Sequence, residues 1–279
     1  MRSLYKLSHA YCKALFMLAK SYLKPKGATI LTPYLNQVFN ADALEFMAKL
    51  PDSCIDCVLI DPPYCSGGVK SLAERTKNTN DKYLLVRKNG KTYPEFLGDG
   101  KDQRVWIAWI GFVFAQIERL LKPGGYFFSF IDWRMLPALS DAVQLADLAW
   151  RGVIVWDKGR SARPFANGFK QQCEFIVWGT KGELPNTQEA NYHYGYIQAY
   201  LHASKKLHTT QKPLEVLKHC LAIVPKGGIV LDCFAGSGST GVACTHLGLN
   251  FIGVEKSKEY AKIAQENLRR ALGDEGLFA

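Results

Sequence analysis

The chain has 279 residues, of which 48% are hydrophobic and 22% charged, and it carries a formal net charge of +10. That length fits one large domain or two small ones, and the apolar share can bury a substantial core, so the chain reads as soluble and globular. The basic balance suggests an anionic partner, nucleic acid first, although a solvated basic surface would give the same number. The eight cysteines lack the dense spacing of a secreted disulfide scaffold, and no apolar run is long enough to span a membrane, so a reducing, cytoplasmic setting is expected.

Residues 1–28 contain Arg2, Lys6, Lys13, Lys20, Lys24 and Lys26 and no acid. Leu4, Leu7, Tyr11, Leu15, Leu18 and Tyr22 approximate a helical stripe, and Lys13 interrupts what would be a signal peptide's apolar stretch. A basic N-terminal extension is expected, either a peripheral amphipathic helix or a poorly ordered segment. Gln37–Asn40 then reads as a strand, Ala43–Leu50 as a helix and Cys54–Ile60 as an apolar strand ending at Asp61. Cys54 and Cys57 form a CxxC, but with no second pair and no close histidine they read as buried core thiols rather than metal ligands.

Residues 65–103 are polar, rich in Lys, Asn and Gly, and lack periodicity, which predicts a long mobile loop. Arg104–Leu121 reads as a helix burying Val105, Trp106, Trp109, Ile110, Val113, Ile117 and Leu120, stopped by Lys122-Pro123-Gly124-Gly125. Tyr126–Ile131 is the next strand and Met135–Leu148 the next helix; between them, Asp132-Trp133-Arg134 either lines a pocket or starts the helix. Trp150–Trp156 and Glu174–Trp178 read as strands. Residues 182–208 are irregular, and the alternation of Tyr192, Tyr194, Tyr196 and Tyr200 favours packing on a strand face over stacking on a ligand.

Pro213–Ile223 reads as a helix, Ile229–Phe234 as a strand, Thr240–Leu247 as a helix, Asn250–Glu255 as a strand and Ser257–Ala271 as a final helix. Strands alternating with helices predict a mostly parallel sheet covered on both faces. Such sheets bind ligands at the carboxyl ends of their strands. Two motifs fall there.

The first is Asp61-Pro62-Pro63-Tyr64. An exocyclic amine has two N–H donors, which Asp61 and the carbonyl of Pro62 could accept. The two prolines stiffen the backbone, so the acceptors are preorganised. Tyr64 offers a face for a stacked base. Asp-Pro-Pro is also ordinary turn chemistry, and alone the two readings weigh equally.

The second motif is Asp232-Cys233-Phe234-Ala235-Gly236-Ser237-Gly238, a strand–turn–helix junction. Gly236 and Gly238 permit positive φ and close backbone approach, and the helix start offers free N–H groups. It is not GxGxxG, which disfavours a dinucleotide-binding dehydrogenase. Glu255 ends a strand about 20 residues later, where a carboxylate can accept from ribose hydroxyls. Lys212, in His208-Thr209-Thr210-Gln211-Lys212-Pro213, could meet a carboxylate.

Together and in this order, the two motifs resemble the permuted beta subgroup of amino-group DNA methyltransferases (the adenine-N6 and cytosine-N4 enzymes). The resemblance covers roughly residues 36–270. It implies a Rossmann-like α/β fold, circularly permuted, with a seven-stranded mixed sheet, one antiparallel edge hairpin and helices on both faces. The catalytic domain would span 29–279, with 182–208 as a small target-recognition insert. The implied cofactor is S-adenosyl-L-methionine, held by Asp42, Lys212, Asp232, Phe234, Gly236, Gly238 and Glu255, with Asp42 on the adenine and with no metal. Asp61, Pro62, Pro63 and Tyr64 would be catalytic.

The substrate would be double-stranded DNA with the target base flipped out of the helix. Asp at the head of the motif points to adenine N6 over cytosine N4. A homodimer or a restriction endonuclease would be compatible protein partners. Basic residues of 65–103, with Arg160, Arg163, Lys205 and Lys206, would meet phosphates. Competing readings are a methyltransferase acting on RNA or a protein amide, which usually has the cofactor loop first, and a non-catalytic nucleic-acid-binding relic of the fold.

Overall fold

A computed structural model of the chain describes residues 31–64, 103–161, 166–185, 192–200 and 212–274. The expectations for residues 1–28, for the loop up to residue 102, for Arg163 and for residues 201–211 lie outside these. Among the described residues eight strands form one sheet: β1 (Gln37–Asn40), β2 (Ile55–Ile60), β3 (Leu121–Ile131), β4 (Ala149–Asp157), β5 (Cys173–Thr180), β6 (Tyr196–Gln198), β7 (Ile229–Asp232) and β8 (Asn250–Glu255). Their spatial order is β1-β8-β7-β2-β3-β5-β4-β6. Only β5 runs against its neighbours β3 and β4; the other pairings are parallel.

The helices are α1 (Ala43–Met47), α2 (Gln103–Leu120), α3 (Leu136–Leu145), α4 (Leu214–Leu221), α5 (Ser239–His246) and α6 (Lys258–Asp274). They divide by face. Phe46 of α1, Trp106, Ile110, Val113 and Ile117 of α2 and Leu139 of α3 pack on Val58 and Ile60 of β2. Val216 and Leu217 of α4, Ala243 of α5 and Leu268 of α6 share the opposite core with Cys57 and Leu59. This is why β2 is apolar at nearly every position: each face of a central parallel strand is covered, so alternate residues enter different cores. Cys54 and Cys57 are buried, and burial pushes both thiols up, as inert core residues require.

Several boundaries and burials differ from the sequence reading. The expected seven strands are joined by an eighth, β6, drawn from the Tyr-rich insert and paired parallel to β4. The antiparallel pair β4–β5 is therefore one strand in from the edge. Lys122-Pro123-Gly124-Gly125 ends the helix as expected but belongs to β3. Gly124 takes φ +77° and its N–H donates to the Lys181 carbonyl at 2.8 Å, which extends the ladder through a segment that reads as a turn. Val105 is 53% exposed rather than buried, because it lies at the start of α2, beyond the sheet.

The tyrosines are less packed than expected, although the Tyr200 ring lies against Gly159. Tyr192 is 91% exposed and Tyr194 83%, while Tyr196 and Tyr200 are about half exposed. An edge strand paired on one side only leaves such side chains in solvent.

Two polar ties hold the strands in place. The Asp56 carboxylate accepts from Lys122 Nζ at 2.8 Å and from the Ile229 N–H at 2.8 Å, which joins the start of β7 to β2. Arg119 is buried. It donates to the carbonyls of Met47 and Leu50 at 2.7 and 2.8 Å and to Asp52 at 2.6 Å, capping α1 from α2.

Candidate functional site

β2 and β7 lie side by side, with Val58 opposite Leu231. Three residues further along each strand come Asp61 and Phe234, so the two motifs emerge together at the carboxyl edge. A single cleft is lined by Asp61, Lys212, Asp232, Phe234, Gly236 and Thr240, among others. Trp106 of α2 donates its indole N–H to the Pro63 carbonyl at 2.7 Å, fixing the first motif from the helix that packs beneath it.

Asp61 stands in a dense ionic cluster. Lys212 Nζ lies 2.9 Å from Asp61 Oδ2, 2.7 Å from Glu174 Oε1 and 3.1 Å from the Tyr64 hydroxyl. Tyr64 in turn donates to Asp61 Oδ1 and has Glu174 Oε1 within 3.3 Å. Lys158 Nζ reaches the other Glu174 oxygen at 3.3 Å. The Lys212 ammonium also faces the rings of Phe130 and Tyr64 at 5.0 and 5.4 Å.

Two carboxylates thus meet two ammonium groups, and the cluster is close to neutral. Its members titrate accordingly. Burial raises the Asp61 carboxyl; Lys212 opposes that and Glu174 adds to it. Burial also works against an ionised Glu174, but the two lysines outweigh it and hold this carboxyl below its usual range. Burial would lower Lys212, yet Asp61 and Glu174 push it up to about 12, so it stays charged.

The second motif is built as a cradle. Asp232 is buried and accepts the Phe234 N–H at 3.0 Å and the Thr240 hydroxyl at 2.6 Å, which closes the turn across the start of α5. Burial, with no cation against it, raises this carboxyl to about 7. Gly236 and Gly238 both take positive φ, but they serve different ends. A Cβ on Gly238 would lie 3.0 Å from the backbone of Ala264 in α6, so this glycine is required for packing. A Cβ on Gly236 would meet nothing closer than 4.0 Å, so its backbone borders open space.

Glu255, at the end of β8, accepts from the Gly236 N–H at 2.9 Å and from the Ser257 N–H at 2.7 Å. Burial raises it; these N–H groups counter that in part. Asp42 lies at the end of β1, on the far side of β8. It caps α1 through the Leu44 N–H at 3.0 Å and pairs with Lys256 at 3.0 Å. Burial works against its ionised form, but Lys256 and the helix N–H groups prevail and hold it low.

The structure therefore brings Asp61, Lys212, Asp232, Phe234 and Gly236 to one cleft, with Tyr64 bonded to Asp61, Glu255 bonded to the Gly236 turn and Asp42 one strand beyond Glu255. Asp132-Trp133-Arg134 forms the turn ahead of α3 and is not part of the cleft lining. Asp132 accepts the Arg134 N–H at 3.0 Å and binds its guanidinium at 2.7 and 2.9 Å, leaving Trp133 exposed.

Glu174 was not singled out by the sequence reading. The available signal was a lone acid in the otherwise apolar run Cys173-Glu174-Phe175-Ile176-Val177-Trp178, where a half-buried charge needs a partner.

With the geometry in hand, comparison with known proteins is decisive. The DNA methylase family model matches residues 55–266, most of the chain. The chain belongs to the DNA methylase family. It is a DNA methyltransferase of the N6/N4 group, and DNA is its substrate. Among curated relatives, the Type II methyltransferase M2.DpnII of Streptococcus pneumoniae is 26% identical over 270 residues, covering 87% of this chain and 94% of its own. The crystal structure of an M1.HpyAVI–SAM complex superposes with a TM-score of 0.58 at 24% identity, over 83% of this chain and 98% of that one. The cytosine-N4-specific PvuII DNA methyltransferase gives a TM-score of 0.60 at 14% identity, over 85% of this chain and 90% of that one. These two likenesses establish the fold, a Rossmann-like methyltransferase sheet. Among the described residues no helix is long and apolar enough to cross a membrane, and no group of three or more His, Cys, Asp or Glu side chains could hold a metal ion.

Proposed function

We propose that this DNA methyltransferase transfers a methyl group from S-adenosyl-L-methionine to the exocyclic amine of a flipped base, adenine N6 in the first instance. The observation that carries the reading is the single cleft shared by Asp61 and the Gly236 turn. The residues fit the cofactor. Gly236 borders open space, the Glu255 carboxylate accepts the N–H of that turn, and the helix start of α5 presents backbone N–H groups. Asp232, Phe234, Gly236 and Glu255 would hold the nucleoside and methionine portions and Asp42 the adenine, with Gly238 shaping the turn through its packing on α6.

When bound, S-adenosyl-L-methionine supplies an electrophilic methyl group on a cationic sulfur. The protein's task is then positional and electrostatic. Asp61 and the Pro62 carbonyl accept the two amine N–H bonds, which draws the nitrogen lone pair toward the methyl group. The Asp61 carboxylate stabilises positive charge as it develops on that nitrogen. Tyr64 supports the face of the flipped base. In the free protein each Asp61 oxygen already accepts one donor, Tyr64 or Lys212, so an incoming amine competes with these donors for the carboxylate.

Adenine is preferred over cytosine on the strength of Asp61 at the head of its motif; cytosine N4 is the second reading. The exposed Tyr192, Tyr194, Phe169 and Arg160 support a DNA-facing surface beside β6, with residues 182–208 and the 65–103 loop completing target recognition within a 29–279 catalytic domain. The Type II relative supports a restriction–modification setting with an endonuclease partner. Transfer of a tritiated methyl group to DNA, followed by nucleoside analysis, tests activity and base together: labelled N6-methyladenine is expected. Asp61→Ala should abolish transfer while cofactor binding persists; wild-type turnover in that variant would remove the assignment.

A further inference from the structure

We propose that Glu174 is a positioning residue for methyl transfer: it shares the donors that engage Asp61 and so leaves Asp61 free to turn to the amine. The inference rests on the role proposed for Asp61. Both donors that engage Asp61 already have Glu174 within reach. Lys212 lies 2.7 Å from Glu174, nearer than its 2.9 Å to Asp61. The Tyr64 hydroxyl lies 3.3 Å from the same Glu174 oxygen. Neither donor has to travel to stay bonded when Asp61 turns to the base.

Charge makes this necessary. Lys212 is 8% exposed and stays ionised, so it cannot be left without a counter-ion. The reaction also places positive charge on the amine nitrogen beside it. With Glu174 neutralised or absent, Lys212 would hold Asp61 more tightly and would face a second developing cation. Lys158, on the outer oxygen of Glu174, fixes that side chain without occupying the oxygen facing Lys212. The titratable groups bearing on Asp61 are then Tyr64 beside it, Glu174 from β5, Lys212 ahead of α4 and Asp232 from β7, with Lys158 acting through Glu174.

The test uses the full chain with Glu174→Gln and Glu174→Asp, measuring methyl transfer to DNA against pH and cofactor binding by calorimetry. For Glu174→Gln, kcat should fall about tenfold or more with cofactor Kd within about twofold of wild type. Its acid limb in kcat/KM should move to lower pH by about one unit, because a like charge beside Asp61 has been removed. Glu174→Asp keeps the charge, so its acid limb should stay in place and much of the rate should return. An unchanged acid limb in Glu174→Gln, or a rate loss matched by the loss of cofactor binding, overturns the proposal. If wild type transfers no methyl group, the role of Asp61 falls and this inference with it; an active wild type with an unaltered Glu174→Gln variant removes this inference alone.

Discussion

The Glu255 carboxylate accepts the Gly236 N–H at 2.9 Å, so the end of β8 is tied to the turn that follows β7. One side chain thus shapes the cradle from the neighbouring strand. Glu255→Ala should weaken S-adenosyl-L-methionine binding by about 100-fold, since a charge-assisted hydrogen bond and the turn geometry are lost together. Glu255→Gln retains one acceptor oxygen and should lose less. Isothermal titration with both variants checks the order.

The two glycines of the turn should separate stability from binding. Gly238→Ala forces a left-handed alanine against the Ala264 backbone, which should cost about 2–4 kcal/mol in denaturant unfolding. Gly236→Ala meets no protein atom closer than 4.0 Å and should cost only about 1 kcal/mol for its left-handed φ. Its cofactor affinity should nevertheless fall, because the added methyl group projects into the cleft. Equal stability losses with intact binding in both variants would contradict this division.

Asp232 makes stability fall as pH rises, the reverse of the usual carboxylate. Its folded value is raised to about 7 from an ordinary 3.8, so between those limits the native state holds a proton that the unfolded chain has released. Its contribution should therefore decline by about 1.4 kcal/mol per pH unit on going up from the ordinary carboxylate range, and level off above neutrality. Asp232→Asn removes the titration. Cofactor-free wild type should lose stability relative to this variant as pH climbs from 4 to 7, and then run parallel to it.

Arg119 bonds the last carbonyls of α1 from within the core. Arg119→Met keeps the bulk but leaves the Met47 and Leu50 oxygens without that donor. A loss of about 3 kcal/mol or more is expected in urea unfolding. Since Arg119 borders no part of the cleft, cofactor affinity of the folded fraction should be unchanged.

The alternation of strands and helices was legible because each face of a parallel strand must be buried, and Cys54–Ile60 and Ile229–Phe234 record that in runs that are apolar except for Asp56 and Asp232. The two motifs stood out because proline fixes φ while glycine freely takes positive φ, and the structure brings both to one cleft. β6 was not legible, since Tyr196–Gln198 is short and its three residues pair with β4 through backbone groups that any side chain could accompany. Nor was the tyrosines' exposure, which depends on whether another strand covers that edge. Glu174 escaped because its significance comes from Lys212, 38 positions away in the chain and brought alongside by the fold. Lys122–Gly125 misled because proline and two glycines announce a turn, while the ladder bond from Gly124 to Lys181 is a long-range contact.

The hydrogen bond from Trp106 to Pro63 spans the whole stretch from 65 to 102 at its base. The Pro63 backbone, two residues from Asp61, is thereby held by a helix that follows that stretch in the sequence. Mutational drift, or even wholesale exchange of the intervening segment, can proceed without recutting the turn at Asp61. The geometry at Asp61 and the makeup of the intervening segment are then free to evolve at different rates on one scaffold.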